Sequence, residues 1–176
     1  MYPFVRFGLA MLSARRAAPL PLDGTHVTRV ACLPFDIDPW GELNNGRTLT
    51  LYDLGRVPLA IRTGVFAVLR REGWRLTVAG ASVRYRRRVR AFERLTLRSA
   101  IAGRDARFLY VEQSLWRGEE AVSAAYFRKA AVDAVGIVAT DRIVAALGRP
   151  DWAPALPPGL AAWAAAEAAR PWPPGP

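Results

Sequence analysis

Cysteine, histidine and lysine are almost absent from this 176-residue chain, where each occurs once, as Cys32, His26 and Lys129. A single cysteine excludes an internal disulfide, so nothing points to an oxidising compartment and we expect a cytoplasmic protein. No Cys/His spacing for a metal site, glycine-rich phosphate loop or serine-nucleophile elbow is present. We therefore expect no metal and no redox cofactor.

Long hydrophobic runs are missing as well. The apolar opening, MYPFVRFGLAMLSARR, is interrupted by Arg6 and is much shorter than the roughly 20 residues that span a bilayer. Arg15 and Arg16 follow the apolar run instead of preceding it, which argues against a secretory signal. We expect a short helix that docks on the domain and no integral membrane segment, with contact at a membrane surface as the alternative.

The charge is strongly unbalanced, with 25 Lys and Arg against 15 Asp and Glu and a formal net charge of +10. All the cationic residues except Lys129 are arginines, a bias that a GC-rich coding sequence produces without selection for any ligand. Basic proteins attract nucleic acids and anionic lipids. However, the arginines are not interleaved with aromatic platforms, and no DNA-reading or RNA-reading motif is present, so we expect no nucleic-acid partner.

The order of periodic patterns indicates an α+β fold. A β-branched segment, HVTRVACLPF, is followed from Asn45 by apolar residues at helical spacing, with a break or kink possible at Pro58 and a stop at Gly73. Short turns then separate four strand patterns, which predicts a four-stranded antiparallel meander. These patterns cover residues 76–90, 92–101, 107–116 and 121–132, and short helices are predicted at 139–147 and 159–169.

We divide the chain into one domain with two extensions, since no internal repeat or second domain is evident. Residues 1–24 form the N-terminal docking segment, and residues 25–135 form the α+β domain. Residues 136–176 add the short C-terminal helices and a Pro-rich tail to the same domain.

One stretch stands out chemically: DIDPWGELNNGRTLTLYDLGR, which begins at Asp36. Asn44 or Asn45 is a good N-cap for the following helix, and a purely structural interpretation stops there. A helix N-terminus also presents backbone N–H groups to a developing oxyanion. Asp38, held just ahead by the corner Pro39–Gly41, supplies a carboxylate near the same point. Together these groups suit attack on a carbonyl, by the carboxylate itself or by water that it activates.

These residues resemble the hotdog-fold acyl-CoA thioesterases, in the branch like 4-hydroxybenzoyl-CoA thioesterase. That branch carries roughly D-x-x-x-H-x-N-N-G-R-Y-L, and this chain reads DPWGELNNGRTL from Asp38. The resemblance continues through DLGR from Asp53, VAGASVRYRRRVRAFERL from Val78 and FLYVEQ from Phe108, and spans about residues 27–133. It implies a curved antiparallel sheet wrapped around a long central helix.

The resemblance also implies roles for individual residues. Asp38 matches the family's catalytic carboxylate, and the backbone N–H groups near Asn45 and Gly46 match the donors that polarise the thioester carbonyl. Asn44 and Thr48 fall in the substrate-binding part of the same motif, where Thr48 stands at a position often occupied by Tyr.

The family's histidine is replaced by Glu42. Glu42 is a candidate for proton handling, with Asp36 and Asp38 raising its pKa by like-charge repulsion. The replacement is also compatible with different substrates, or with a protein that binds acyl-CoA without hydrolysing it. The only histidine, His26, lies at the start of the first strand, where we expect a solvent-edge residue.

The run of arginines from Arg84 to Arg90 has two interpretations. Strand alternation puts Arg84, Arg86, Arg88 and Arg90 on one face, so these residues are either a solvated strand end or a rim that meets the phosphates of coenzyme A. In the second case Arg86 and Arg88 are substrate-binding residues.

We therefore predict an acyl-CoA thioesterase that releases a free acid and coenzyme A, with coenzyme A present only as part of the substrate. The family resemblance implies a homodimer or a tetramer of dimers, with sites at the subunit interface. The alternatives are a non-catalytic acyl-CoA-binding hotdog protein and, less favoured, a basic interaction protein for anionic partners.

Overall fold

The architecture is given by a computed structural model that describes residues 2–171 and 173. A 3₁₀-helix, Pro34–Asp36, lies just before the second α-helix. The α-helices and strands, in chain order, are α1 Phe4–Arg16, β1 Thr25–Ala31, α2 Asn45–Arg62, α3 Val65–Arg71, β2 Arg75–Tyr85, β3 Arg94–Arg104, β4 Leu109–Arg117, β5 Glu120–Val132, α4 Thr140–Ala146 and α5 Pro158–Ala169.

The five strands form one antiparallel sheet in the order β1-β3-β4-β5-β2. The predicted four-stranded meander is therefore wrong for β2, which pairs with β5 at one edge of the sheet. Tight turns join only β3 to β4 and β4 to β5, whereas residues 86–93 form a longer connection. That connection carries the chain from β2 to the other side of the sheet, where β3 pairs with β1.

The long helix α2 packs across one face of this sheet, so the predicted α+β hotdog arrangement is confirmed. Gly55 marks the closest approach: a Cβ built there would lie 2.7 Å from Leu97 Cδ2 and would also meet Ser99 Oγ. The middle of α2 and the inner faces of β3, β4 and β5 form the core between the two layers. Its fully buried side chains include Leu51, Tyr52, Leu59, Leu95, Leu97, Leu115 and Phe127.

The helix does not break at Pro58, where the sequence made a break or a kink possible. Pro58 is buried inside α2, which continues to Arg62. The break comes at Gly64, whose φ of 80° lies in the left-handed region that glycine tolerates. The stop predicted at Gly73 is confirmed, since α3 ends at Arg71 and Gly73 has a φ of 71°.

The predicted N-terminal helix is confirmed as α1, which packs against α2. Its outward face leaves apolar side chains exposed, among them Phe4, Val5 and Leu9. No helix in the described part of the chain has the length and apolar character needed to cross a membrane. The predicted C-terminal helices are α4 and α5, while most of the Pro-rich tail lies outside the described residues.

His26 is not the solvent-edge residue that the sequence suggested. Its side chain is buried beneath Arg62, whose Nη1 donates a hydrogen bond to His26 Nδ1 at 3.1 Å. Burial first, and the charge of Arg62 second, lower the pKa of His26 to about 4. Although β1 is an edge strand, Arg62 at the C-terminal end of α2 covers the His26 side chain.

Candidate functional site

The segment ahead of α2 is a closed loop built on backbone hydrogen bonds. Asp38 N donates to Glu42 O at 2.8 Å, and Gly41 N donates to Asp38 O at 3.0 Å. A β-bridge between Ile37 and Leu43 closes the base of the loop. Gly41 has a φ of 77°, which makes glycine the favoured residue at this corner.

The carboxylate of Asp38 is used within this loop. Its Oδ1 accepts hydrogen bonds from Trp40 N at 2.9 Å and from Glu42 N at 3.3 Å. An aspartate that binds the backbone two residues further on forms an Asx-turn. Asp38 therefore fixes the backbone position of Glu42, and its side chain is half-buried.

The first turn of α2 is capped by Asn44, one of the two candidates that the sequence offered. Asn44 Oδ1 accepts a hydrogen bond from Arg47 N at 3.1 Å, and Thr48 Oγ1 donates to Asn44 O at 3.1 Å. Asn45 and Gly46 occupy the first two helical positions, where backbone N–H groups have no intrahelical acceptor. Both residues are exposed. Backbone N–H groups at such helix positions can bind a ligand oxygen.

A cavity of about 250 Å³ opens beside this helix N-terminus. Of the sequence-predicted site residues, it brings together Glu42, Asn45, Thr48, Arg86 and Arg88. Asp38, Asn44 and Gly46 are outside its lining, although all three belong to the loop and cap that border it. The remaining lining residues are Leu43, Tyr85, Arg87, Val89, Val122 and Ser123.

The arginines beside the cavity are not arranged as a strand. Strand β2 ends at Tyr85, and the N–H groups of Arg86 and Arg87 both donate to Val122 O, at 2.9 and 3.1 Å. The predicted alternation of Arg84, Arg86, Arg88 and Arg90 on one strand face is therefore wrong. Because the backbone turns here, three consecutive arginines at positions 86–88 line the same cavity.

Glu42 and Arg88 form an ion pair at the mouth of the cavity. Arg88 Nε lies 3.1 Å from Glu42 Oε2, and the Arg88 side chain is 77% exposed while that of Glu42 is 32% exposed. Such solvent-exposed pairs contribute little to stability, about 0–1 kcal/mol. Breaking this pair therefore costs little.

Two residues that sequence analysis missed, Tyr85 and Ser123, also line the cavity. Tyr85 Oη donates to Asn45 O at 3.3 Å, which ties the end of β2 to the start of α2. Ser123 shares a hydrogen bond of 2.9 Å with the fully buried Tyr52 Oη. Burial raises the pKa of Tyr52, so its hydroxyl is neutral at physiological pH. No local motif marks Ser123, because its position follows from the pairing of β5 with β2.

The carboxylate of Asp36 is fully buried behind the cavity, a role that sequence analysis also missed. Burial opposes its ionisation, but hydrogen bonds from Leu33 N, Arg47 and Arg6 outweigh burial and hold the pKa of Asp36 below its ordinary value. Arg6 Nη1 lies 2.9 Å from Asp36 Oδ2. Asp36 thus joins α1 to the first turn of α2, and its charge is used structurally.

Among residues 2–171 and 173, no group of His, Cys, Asp and Glu side chains could hold a metal ion. The candidate site therefore consists of a carboxylate, helix N-terminal amides, a hydroxyl and arginines. These groups can polarise a carbonyl oxygen, accept a proton from water and bind an anion.

A family model described as the Thioesterase-like superfamily matches residues 32–164, which include this whole arrangement. The chain belongs to that superfamily. Among curated proteins, Protein THEM6 from Xenopus laevis is 33% identical over 112 residues, or 62% of this chain and 54% of the relative. The chain thus spans about half the length of that relative.

Solved thioesterase structures share the fold. YbaW, a probable thioesterase from Escherichia coli, matches with a TM-score of 0.65 at 16% identity, over 70% of this chain and 97% of that chain. A probable thioesterase from Bartonella henselae matches with a TM-score of 0.60 at 20% identity, over 66% of this chain and 98% of that chain. At such identities the likeness supports the fold alone.

Proposed function

We propose that this protein hydrolyses an acyl-CoA thioester to a free acid and coenzyme A. One observation carries the proposal: Glu42 and Asn45, the first residue of α2, line the same cavity of about 250 Å³. Membership of the Thioesterase-like superfamily supports thioester hydrolysis as the reaction class.

In this proposal the thioester oxygen accepts hydrogen bonds from the amides of Asn45 and Gly46. Glu42 removes a proton from a water molecule, whose oxygen bonds to the carbonyl carbon. The carbon–sulfur bond then breaks, and the departing thiolate takes the proton back from Glu42. Asp38 acts as a positioning residue, because its Oδ1 holds the backbone of Glu42.

The sequence-predicted alternative, with Asp38 as the catalytic carboxylate, differs in one measurable respect. Asp38→Asn keeps an oxygen that accepts both loop hydrogen bonds but removes the charge, whereas Asp38→Ala removes both. Our assignment predicts that Glu42→Gln lowers kcat by about 10²-fold or more and that Asp38→Asn lowers it less than tenfold. A loss of 10²-fold in Asp38→Asn, with Glu42→Gln active, would reverse the two roles.

The oxyanion donors are tested by Asn45→Pro, with Asn45→Ala as its matched control. Proline lacks the N–H group but fits the first helical position, and Asn44 already has the extended backbone that precedes a proline (φ −60°, ψ 139°). We expect kcat to fall by about 10²-fold in Asn45→Pro and much less in Asn45→Ala. Equal rates in the two variants would show that this amide plays no part.

Arg86 and Arg88 are proposed to bind the coenzyme A phosphates. Both line the cavity and are exposed, and guanidinium groups bind phosphate oxygens in a bidentate manner. Arg86→Ala and Arg88→Ala should raise KM by about tenfold with little change in kcat. The increase in KM should be smaller at high salt, because salt screens exposed charges. Arg29→Ala, on the exposed side of β1, is the control and should leave KM unchanged.

A non-catalytic acyl-CoA-binding protein is the second candidate, and one observation favours it. Both acidic side chains of the loop have partners already: Asp38 binds backbone amides, and Glu42 pairs with Arg88. In that case isothermal titration would show saturable acyl-CoA binding, while no free thiol would appear across a panel of aromatic, short-chain and long-chain acyl-CoAs.

We also propose that two copies pair through β2, as a homodimer or within a tetramer of dimers. β2 is an edge strand whose residues are mostly exposed, including Val78 at 44%. An unpaired edge with apolar side chains is a ready template for a second strand. Light scattering should give the mass of a dimer or of a larger assembly of dimers, and Ala79→Pro on this edge should disrupt the pairing and lower that mass.

A further inference from the structure

The only lysine of the chain occupies an unusual place. Lys129 lies on β5 within the layer between the sheet and α2, and it is only 7% exposed. Within the described part of the chain, its ammonium group forms no hydrogen bond and no salt bridge. The side chain is largely desolvated, but its nitrogen still reaches solvent, since the buried side-chain atoms without a hydrogen bond among the described residues are His26 Nε2 and Arg128 Nε. A desolvated cation is costly, and an anion that pairs with it would offset that cost.

Lys129 lines a second cavity of about 240 Å³. One wall is apolar and is formed by Val57, Ala60, Phe66, Leu69, Trp74 and Leu76. The charged lining consists of Lys129, Arg56, Arg70, Arg75 and Asp53. The cavity shares no lining residue with the one at the start of α2.

The other buried cation of this cavity is already neutralised. Arg56 forms a salt bridge with Asp53, donates a hydrogen bond to Gln113 Oε1 at 3.2 Å and lies over the Phe127 ring at 4.0 Å. Asp53 in turn accepts a hydrogen bond from Tyr2 Oη at 3.3 Å. Burial and repulsion from Arg56 outweigh the attraction of Asp53 and lower the pKa of Lys129 to about 8.

We propose that this second cavity binds a small apolar organic acid, whose carboxylate pairs with Lys129. A carboxylate adds negative charge to a lining that has four cationic side chains and one acidic one, and it accepts hydrogen bonds from the ammonium group. The apolar wall then covers the hydrocarbon part of the ligand, as in most small-molecule sites. Arg70 and Arg75, which are exposed at the edge of the cavity, attract the anion from solution.

Octanoate is the probe, and octanamide is its uncharged counterpart of nearly the same shape. Isothermal titration of the full chain should show octanoate binding at neutral pH and octanamide binding at least tenfold more weakly. Free coenzyme A, which is proposed to occupy the other cavity, should not displace octanoate. No thioester is present, so the result is independent of whether the protein hydrolyses one.

Three variants at the cavity and one control locate the site. Lys129→Met keeps the length and apolar stem of the side chain but removes its charge, and it should weaken octanoate binding at least tenfold. Lys129→Arg should bind within a few-fold of the natural chain. Ala60→Phe fills the cavity and leaves Lys129 in place, and it should abolish binding. Arg29→Met removes one cation from the opposite edge of the sheet and should change nothing.

Equal affinity for octanoate and octanamide in the natural chain would overturn the proposal without any variant. So would undiminished octanoate binding in Lys129→Met, or no binding heat at millimolar octanoate. Binding that coenzyme A displaces would assign octanoate to the first cavity, and would also refute the proposal.

Discussion

Arg47 donates hydrogen bonds to Asp36 Oδ1 from both Nε, at 2.9 Å, and Nη2, at 2.6 Å. The carboxylate is fully buried, and the Arg47 side chain is 16% exposed. This pair connects the loop ahead of α2 to the first turn of the helix, where Asn45 and Gly46 present their amides. The geometry of the candidate site therefore depends on a charge pair behind it.

Asp36→Ala should destabilise the protein by about 3 kcal/mol, because two largely buried arginines, Arg6 and Arg47, lose the carboxylate that pairs with both of them. Since the folded state holds the pKa of Asp36 below its unfolded value, this stabilisation is present above the unfolded pKa and is lost as the pH falls. Urea unfolding at pH 7 measures the change. Asp23→Asn, at an exposed position, is the control, and equal midpoints for both variants would contradict the prediction.

Gly55→Ala should destabilise the protein by about 1–3 kcal/mol, because the new methyl group meets Ser99 Oγ and the side chain of Leu97. Gly8→Ala, in α1, is a matched control, since a Cβ there has no atom within 4 Å. That change should stabilise the helix by up to about 1 kcal/mol. Thermal unfolding of the two variants should therefore shift in opposite directions, and a neutral Gly55→Ala would refute the close approach.

Stability should fall in acid because of His26. Its pKa is about 4 in the folded state against 6.5 in the unfolded chain, so the unfolded chain takes up the proton first as the pH falls. Between pH 6.5 and 4 this lowers the free energy of unfolding by at most about 3 kcal/mol. His26→Gln removes the effect, so the stability lost on acidification should be smaller in that variant. If the stability of the two proteins fell equally with pH, His26 would be protonated as readily in the folded protein as in the unfolded chain.

Lys129→Met should be more stable than the natural chain at pH 7, by about 1–3 kcal/mol, because it removes a desolvated charge. The folded-state pKa of about 8 lies below the unfolded value of 10.5. The natural chain therefore gains stability between these pH values, and the gap to the variant should close. Denaturant unfolding at pH 7 and pH 10 tests this. If the difference in free energy of unfolding between the two proteins were the same at both pH values, packing alone and not charge would explain it.

Local patterns were sufficient for much of the fold and the site. The Asn44 cap, the corner that ends in Gly41 and the α+β class all follow from residue types at fixed spacing, because caps and turns depend on near neighbours. The alternation rule failed for Arg86 and Arg88, since a single pattern cannot tell where a strand ends. The four-stranded meander failed because pairing partners are set by the length of connections and by long-range packing.

The sequence alone determined the elements, the helix N-terminus at Asn45 and the family. Those features depend on contacts within a few residues, or on a motif whose residues follow one another in the chain. Only the tertiary structure decided that Glu42 lines the first cavity while Asp38 holds the loop, and that Lys129 lines a second cavity. Burial and charge pairing join residues far apart in the chain, so these properties exist only once the sheet has closed around α2.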